Sequence, residues 1–133
     1  MKSRIFYNAF FSIIAIAVFF SFNVSAQEVT GTLTGTVRDA SGAIVPGATV
    51  TITDETKNNN VVRTLTTNDE GVFTAPELVS SVYTITVEAA NFKKSVSTGL
   101  KVDVGSRRSL DVTLEAGNIT ETVTVIAETV GVN

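Results

Sequence analysis

Two pairs of adjacent carboxylates, Asp54-Glu55 and Asp69-Glu70, are the residues of this sequence whose types could most readily do chemistry. Paired carboxylates can share out general acid and base roles, or offer their oxygens to calcium. Neither pair has the regular alternation of ligands that a calcium loop requires, and both lie among turn-forming residues, so both are expected as solvated turn residues. The chain has no His and no Cys. That removes imidazole bases, thiol nucleophiles, disulfides and the usual borderline or soft metal ligands together. A Ser-His-Asp triad cannot be assembled, and no catalytic, cofactor-binding or metal-ligating residue is nominated. The expectation is a protein that binds or positions something and is not an enzyme.

Binding chemistry has few candidates. Sugars stack on exposed aromatic side chains, and after the first 26 residues only Phe73, Tyr83 and Phe92 are aromatic. Phe73 and Tyr83 fall on core-facing positions, which leaves Phe92 as the one candidate sugar platform; a core residue at the start of a strand is the competing reading. Asn118-Ile119-Thr120 fits the glycosylation acceptor pattern, which occurs often by chance. The net charge is −3, and without the segment holding Lys2 and Arg4 there are 8 basic against 13 acidic residues. Nucleic acid is a poor partner for such a chain, because phosphate binding needs a basic patch.

The elements that would position these residues are strands. From Thr30 onward Thr, Val, Ile and Gly alternate, and no stretch has the spacing of three and four that an amphipathic helix requires. The first strand is expected over Thr32 to Arg38, followed by the turn Asp39-Ala40-Ser41-Gly42. Ile44 to Ala48 is an extended segment that turns through Pro46-Gly47 into a strand from Ala48 to Asp54, with Val50 and Ile52 on one face. Beyond the polar connection Lys57 to Asn60, Val61 to Thr67 carries too little apolar bulk for a central place and reads as an edge strand. Asn68-Asp69-Glu70-Gly71 is a tight turn into Val72-Phe73-Thr74, with Phe73 inward and Pro76 expected to end the strand. Val82 to Ala89 alternates most clearly, with Tyr83, Ile85 and Val87 on one face, and should lie at the centre of its sheet. Asn91-Phe92-Lys93-Lys94 opens further strand structure to Val104, and Arg107 to Glu115 follows, with Leu110, Val112 and Leu114 inward.

Seven short strands separated by turns every ~8–12 residues are what an all-β, two-sheet Greek-key sandwich requires. A domain of this size can bury about two-thirds of its unfolded surface and needs no disulfide.

Ahead of this domain, Lys2 and Arg4 precede an apolar run from Ala9 to Phe22, and Val24-Ser25-Ala26 has small residues where a signal peptidase inspects them. Residues 1–26 are therefore expected as a secretory signal cleaved before Gln27. An uncleaved anchor is the weaker alternative, since it needs about 20 apolar residues and this run includes polar ones. The mature chain is expected in the periplasm or at the outer membrane, or secreted.

Gly35-Thr36-Val37, Asp39, Gly42 and Val45-Pro46-Gly47-Ala48-Thr49-Val50 resemble the carboxypeptidase regulatory-like domain, a transthyretin-like sandwich. The turn Thr67 to Gly71, then Phe73, Leu78, Tyr83, Val87 and Ala89-Ala90-Asn91-Phe92-Lys93, continue the likeness in order and spacing, over about Gly31 to Glu115. Where the family usually has Pro-Gly before the Tyr, this chain has Ser80-Ser81, so that loop is expected to be looser. The zinc carboxypeptidases behind the family's name act through a separate catalytic domain, and the transthyretin-like purine-pathway hydrolases depend on histidines that this chain lacks.

The family often stands at the N-terminus of TonB-dependent outer-membrane receptors, ahead of a plug and barrel. After the spacer Gly117 to Thr120, Glu121-Thr122-Val123-Thr124-Val125-Ile126-Ala127 resembles a TonB box, the strand that a TonB-type coupling protein captures by adding it to a sheet edge. An ordinary last strand of the sandwich is the other reading of those residues. Residues 27–115 are thus expected as the sandwich and 116–133 as a tail whose Glu121, Thr122, Val123, Thr124 and Val125 meet a coupling protein or an outer-membrane barrel. The resemblance implies a non-catalytic exported binding or structural module without cofactors, the N-terminal extension of a receptor whose plug and barrel are not in this chain. A carbohydrate-binding sandwich and a ligand-free spacer are the alternatives.

Overall fold

The computed structural model describes residues 29–127, so the expected export signal lies outside the described residues. Eight strands and one short 3₁₀ turn follow one another: β1 Thr30–Asp39, β2 Thr49–Asp54, the 3₁₀ turn Glu55–Lys57, β3 Asn60–Thr66, β4 Val72–Val79, β5 Ser81–Glu88, β6 Lys94–Val102, β7 Arg107–Leu114 and β8 Thr122–Ile126. They form two sheets, β4-β1-β7 and β3-β2-β5-β6-β8. The β1–β7 and β6–β8 pairings are parallel, and the others are antiparallel.

Alternation in the sequence becomes alternation in burial. Along β5 Tyr83, Ile85 and Val87 are buried while their neighbours are half-buried, and β2 does the same with Val50 and Ile52. These meet Leu33 and Val37 of β1 and Val112 and Leu114 of β7 in one core. Burying a side chain of this size contributes about 1.5–3 kcal/mol. β5 is the middle strand of its sheet and β3 an edge strand, as their patterns predict. In β1 the small buried residues matter as much as the large ones. A β-carbon on Gly35 would collide with the Phe73 ring and the Leu110 carbonyl oxygen, so glycine is what lets three strands close up there.

Three local expectations are corrected. Pro76 does not end β4, which continues to Val79; β4 is an edge strand, where proline's missing N–H costs no ladder bond if it faces outward. The Ser80-Ser81 corner is not loose, because the Ser81 hydroxyl donates to Asp54 Oδ1 at 2.7 Å and the Tyr83 hydroxyl to the Val79 carbonyl at 2.5 Å. The strand count rises by one, since residues 122–126 pair with β6 as β8.

Five strands lie over three, so one sheet is wider than its partner. β3 reaches β4 across the sandwich, with Arg63 Nη1 donating to the Pro76 carbonyl at 2.9 Å. β8 lies outside β6, at the end of its sheet. Its core-side residues Val123 and Val125 continue the buried row of Ser95 and Ser97, yet Val123 is half-buried and Val125 is 52% exposed.

Candidate functional site

The carboxylate pair Asp54-Glu55 is not a freely solvated turn: Asp54 is buried and Glu55 half-buried. The register of β2 turns Asp54 inward beside Val50 and Ile52, and the residue is fully buried. Its Oδ1 accepts from the Thr56 N–H (3.0 Å), the Thr56 hydroxyl (2.7 Å) and the Ser81 hydroxyl (2.7 Å), while Lys57 Nζ stands 3.6 Å from Oδ2. Oδ2 is buried with no hydrogen-bond partner. The Ser81 hydrogen bond, then those from Thr56 and the Lys57 charge, hold this carboxyl below the usual range against the opposing effect of burial. Burial first, then the Asp54 charge, raises the Tyr83 phenol. The arrangement caps the 3₁₀ turn and ties the end of β2 to the start of β5.

Glu55, one residue on, faces the opposite side of the sheet. Between Tyr83 and Ile85 the pairing with β6 skips from Leu100 to Ser97, so that one residue of β5 faces two of β6. This is a β-bulge, and Gly99 adopts a φ of 75° in it. The Gly99 N–H leaves the ladder and donates to Glu55 Oε1 at 2.8 Å, joined there by the Thr84 hydroxyl at 2.6 Å. Those two bonds, Thr84 first, hold the Glu55 carboxyl low. Thr53, Glu55, Asn59, Thr84 and Thr98 line a shallow polar groove here. Asp69 and Glu70 do remain exposed in their turn.

The other end of the sandwich holds Phe92. Asn91 takes a left-handed φ of 68°, which turns the chain out of β5, and Phe92 makes an isolated bridge to Ala116 beyond β7. The ring is half-buried and packs against the core. Asp39, Ala40, Ser41, Asn91, Phe92 and Ala116 line an open surface concavity of about 400 Å³. Asp39 Oδ1 is engaged by the Ser41 hydroxyl (2.5 Å) and the Ser41 and Ala43 N–H groups (2.9 and 3.0 Å). The Ser41 hydroxyl contributes most to holding the Asp39 carboxyl low. An apolar ring beside a carboxylate, a hydroxyl and an amide can take a ligand with one apolar face and several hydroxyls.

Of the tail residues singled out in the sequence, Thr122, Val123, Thr124 and Val125 lie in β8 and Glu121 immediately precedes it. They are not near the Asp54 cluster: β8 joins the sheet three strands away from β2. Among the described residues no group of three or more Asp or Glu side chains could hold a metal ion. Sequence reasoning missed Asp54 and Glu55 as anchors, because their partners Ser81, Thr84 and Gly99 are 27 to 44 residues away. The period-two pattern of Val50, Ile52 and Asp54 was the available signal.

The family model of the carboxypeptidase regulatory-like domain matches residues 32–115. No curated protein sequence matches the chain. Among solved structures, the Bacillus anthracis TIE protein is similar with a TM-score of 0.55 and 20% identity, over 66% of this chain and 17% of that one. Catechol 1,2-dioxygenase from Pseudomonas arvilla C-1 has a TM-score of 0.54 and 14% identity, over 74% of this chain and 56% of that one. A putative carbohydrate binding protein from Bacteroides uniformis has a TM-score of 0.53 and 14% identity, over 64% and 41% of the two chains. The chain spans less than two-thirds of the length of each of these proteins, and the likeness shows the fold.

Proposed function

The chain belongs to the carboxypeptidase regulatory-like domain family, a non-catalytic β-sandwich module, and from that premise we propose that it binds carbohydrate at its Phe92 end. The observation that carries this reading is the concavity in which Phe92 meets Asp39, Ser41 and Asn91. An aromatic ring presents a flat apolar face to the C–H side of a sugar, while the carboxylate and amide satisfy its hydroxyls. The fold shared with the putative carbohydrate binding protein supports it. A glycan array tests it: binding that disappears in Phe92→Ala is the expected result, and binding unchanged by that substitution, or no glycan bound at all, overturns it.

This reading takes residues 1–26 as the export signal, with the sandwich exported to the periplasm or the outer membrane, or secreted. A second reading is favoured by the position of β8, a strand at the sheet's end with four of its five residues exposed. In it, the residues from Glu121 to Val125 are offered to a TonB-type coupling protein, as in the N-terminal extension of a TonB-dependent receptor. Main-chain pairing would supply the affinity. Retention of the chain on an immobilised periplasmic fragment of a coupling protein, lost when residues 121–125 are scrambled, is the expected outcome; retention of neither chain sinks this second reading.

A further inference from the structure

The crossover from β7 to β8 is tied down at one side chain. Lys93 Nζ lies 3.2 Å from Glu121 Oε2 and 3.7 Å from Glu115 Oε2, so one ammonium joins the residue just after β7 to the residue just before β8. The Lys93 stem runs along Gly117: a β-carbon there would stand 2.7 Å from Lys93 Cγ. Main-chain bonds follow the same path, from the Lys93 N–H to the Glu115 carbonyl and from the Lys94 N–H to the Glu121 carbonyl, each 2.8 Å. The far end of β8 closes with the Ala127 N–H on the Thr98 carbonyl at 2.9 Å.

What β8 itself contributes to its docking is small. Among the described residues it pairs with β6 alone, Val123 is its one half-buried residue, and Val125 and Ile126 are 52% and 75% exposed. A short strand with little buried apolar surface belongs to the low-stability end of a fold and opens without global unfolding. Among the described residues its outer edge has no partner strand, and Thr122–Ile126 contains no charge and no proline, the devices that normally keep an edge from pairing with other chains.

We propose that β8 is a releasable interaction strand, kept docked on β6 by a latch in which Lys93 bridges Glu115 and Glu121. The inference rests on the reading of β8 as a strand offered to a partner and adds how that strand is held. Opening the latch frees residues 122–126 and also uncovers the β6 edge that they occupied. Ala116 and Phe92 flank the latch and line the concavity at this end, so the crossover borders that concavity.

Hydrogen exchange on the full chain tests the latch, comparing Lys93→Met, which keeps the stem against Gly117, with Lys94→Met. The latter removes a neighbouring pair, Lys94 to Glu88 at 2.6 Å, that does not touch the crossover. Two partly exposed ion pairs predict a three- to tenfold acceleration, roughly, for amides of β8 in Lys93→Met, with β5 unchanged. Raising ionic strength should accelerate β8 in the unsubstituted chain and not in Lys93→Met. Wild-type exchange in Lys93→Met, or equal acceleration in Lys94→Met, overturns the latch. Capture by a coupling-protein fragment is scored separately on the same chains: its absence from both overturns the partner-strand reading alone.

Discussion

The Ser81 hydroxyl donates a 2.7 Å hydrogen bond to the buried Asp54 carboxylate, joining two residues 27 positions apart where β2 ends and β5 begins. It ties the corner between β4 and β5 to the end of β2, and it defines a first prediction. Ser81→Ala should lower stability by about 1.5–3 kcal/mol, the usual worth of a hydrogen bond to a charged group, as read by urea denaturation. A change within error would mean that Thr56 and Lys57 suffice to hold Asp54.

Acid should act through the same residue. The Asp54 and Glu55 carboxyls are held low in the fold by hydrogen bonds, so they contribute stability that is fully present above their unfolded values, about 3.9 and 4.3, and lost as pH falls through the lower folded values. Melting temperature is therefore expected to be flat from neutral pH to about 5 and to fall below about 4. Asp54→Asn should be less stable at neutral pH and should lose less on acidification; an unaltered acid limb in that variant would remove Asp54 from the account.

Gly35 and Phe73 give a packing prediction. The Phe73 ring occupies the space into which a β-carbon on Gly35 would project, and overpacking of this kind costs about 1–3 kcal/mol or more. Gly35→Ala is expected to destabilise the fold to that degree, and Phe73→Leu in the same chain to recover part of the loss. Additive losses in the double-mutant cycle would show that the two sites are independent.

Removal of residues 117–133 should leave a folded sandwich. The described part of that tail contributes pairing to one strand and the half-buried Val123 and Ala127. A loss of about 1 kcal/mol corresponds to about 4–8 °C in a domain of this size, and scanning calorimetry should report a drop no larger than that. Loss of the cooperative transition would make β8 an integral strand of the core.

Much of this architecture is legible before any coordinates. Val50, Ile52, Tyr83, Ile85 and Val87 announce their burial by period-two spacing, and the turns at Asp39 to Gly42 and Asn68 to Gly71 are marked by residues with local conformational preferences. The misread segments share a cause. Proline lacks a donor, so Pro76 looks locally like a stop, but whether that matters depends on what lies beside the strand. The residue types of Asp54 and Glu55 favour water, so locally both look like turn carboxylates. Their fate was set by Ser81, Thr84 and the bulge at Gly99, which no local window contains.

Phe92 and the tail show the same division. Phe92 as a candidate platform followed from counting aromatics, but Asp39, Ser41 and Ala116 join it only when the ends of β1, β5 and β7 converge. Residues 122–126 were recognisable as a strand, yet their sequence fits an outer partner and a last sandwich strand equally well. By itself the sequence determined the all-β class, the strand faces and the absence of histidine and cysteine chemistry, because these depend on residue type and short-range periodicity. The tertiary structure alone decided which carboxylates are buried, which residues surround Phe92, and that Lys93 spans Glu115 and Glu121 to hold β8. Those relationships are made by strands meeting across the fold, and their energies depend on partners distant in the chain.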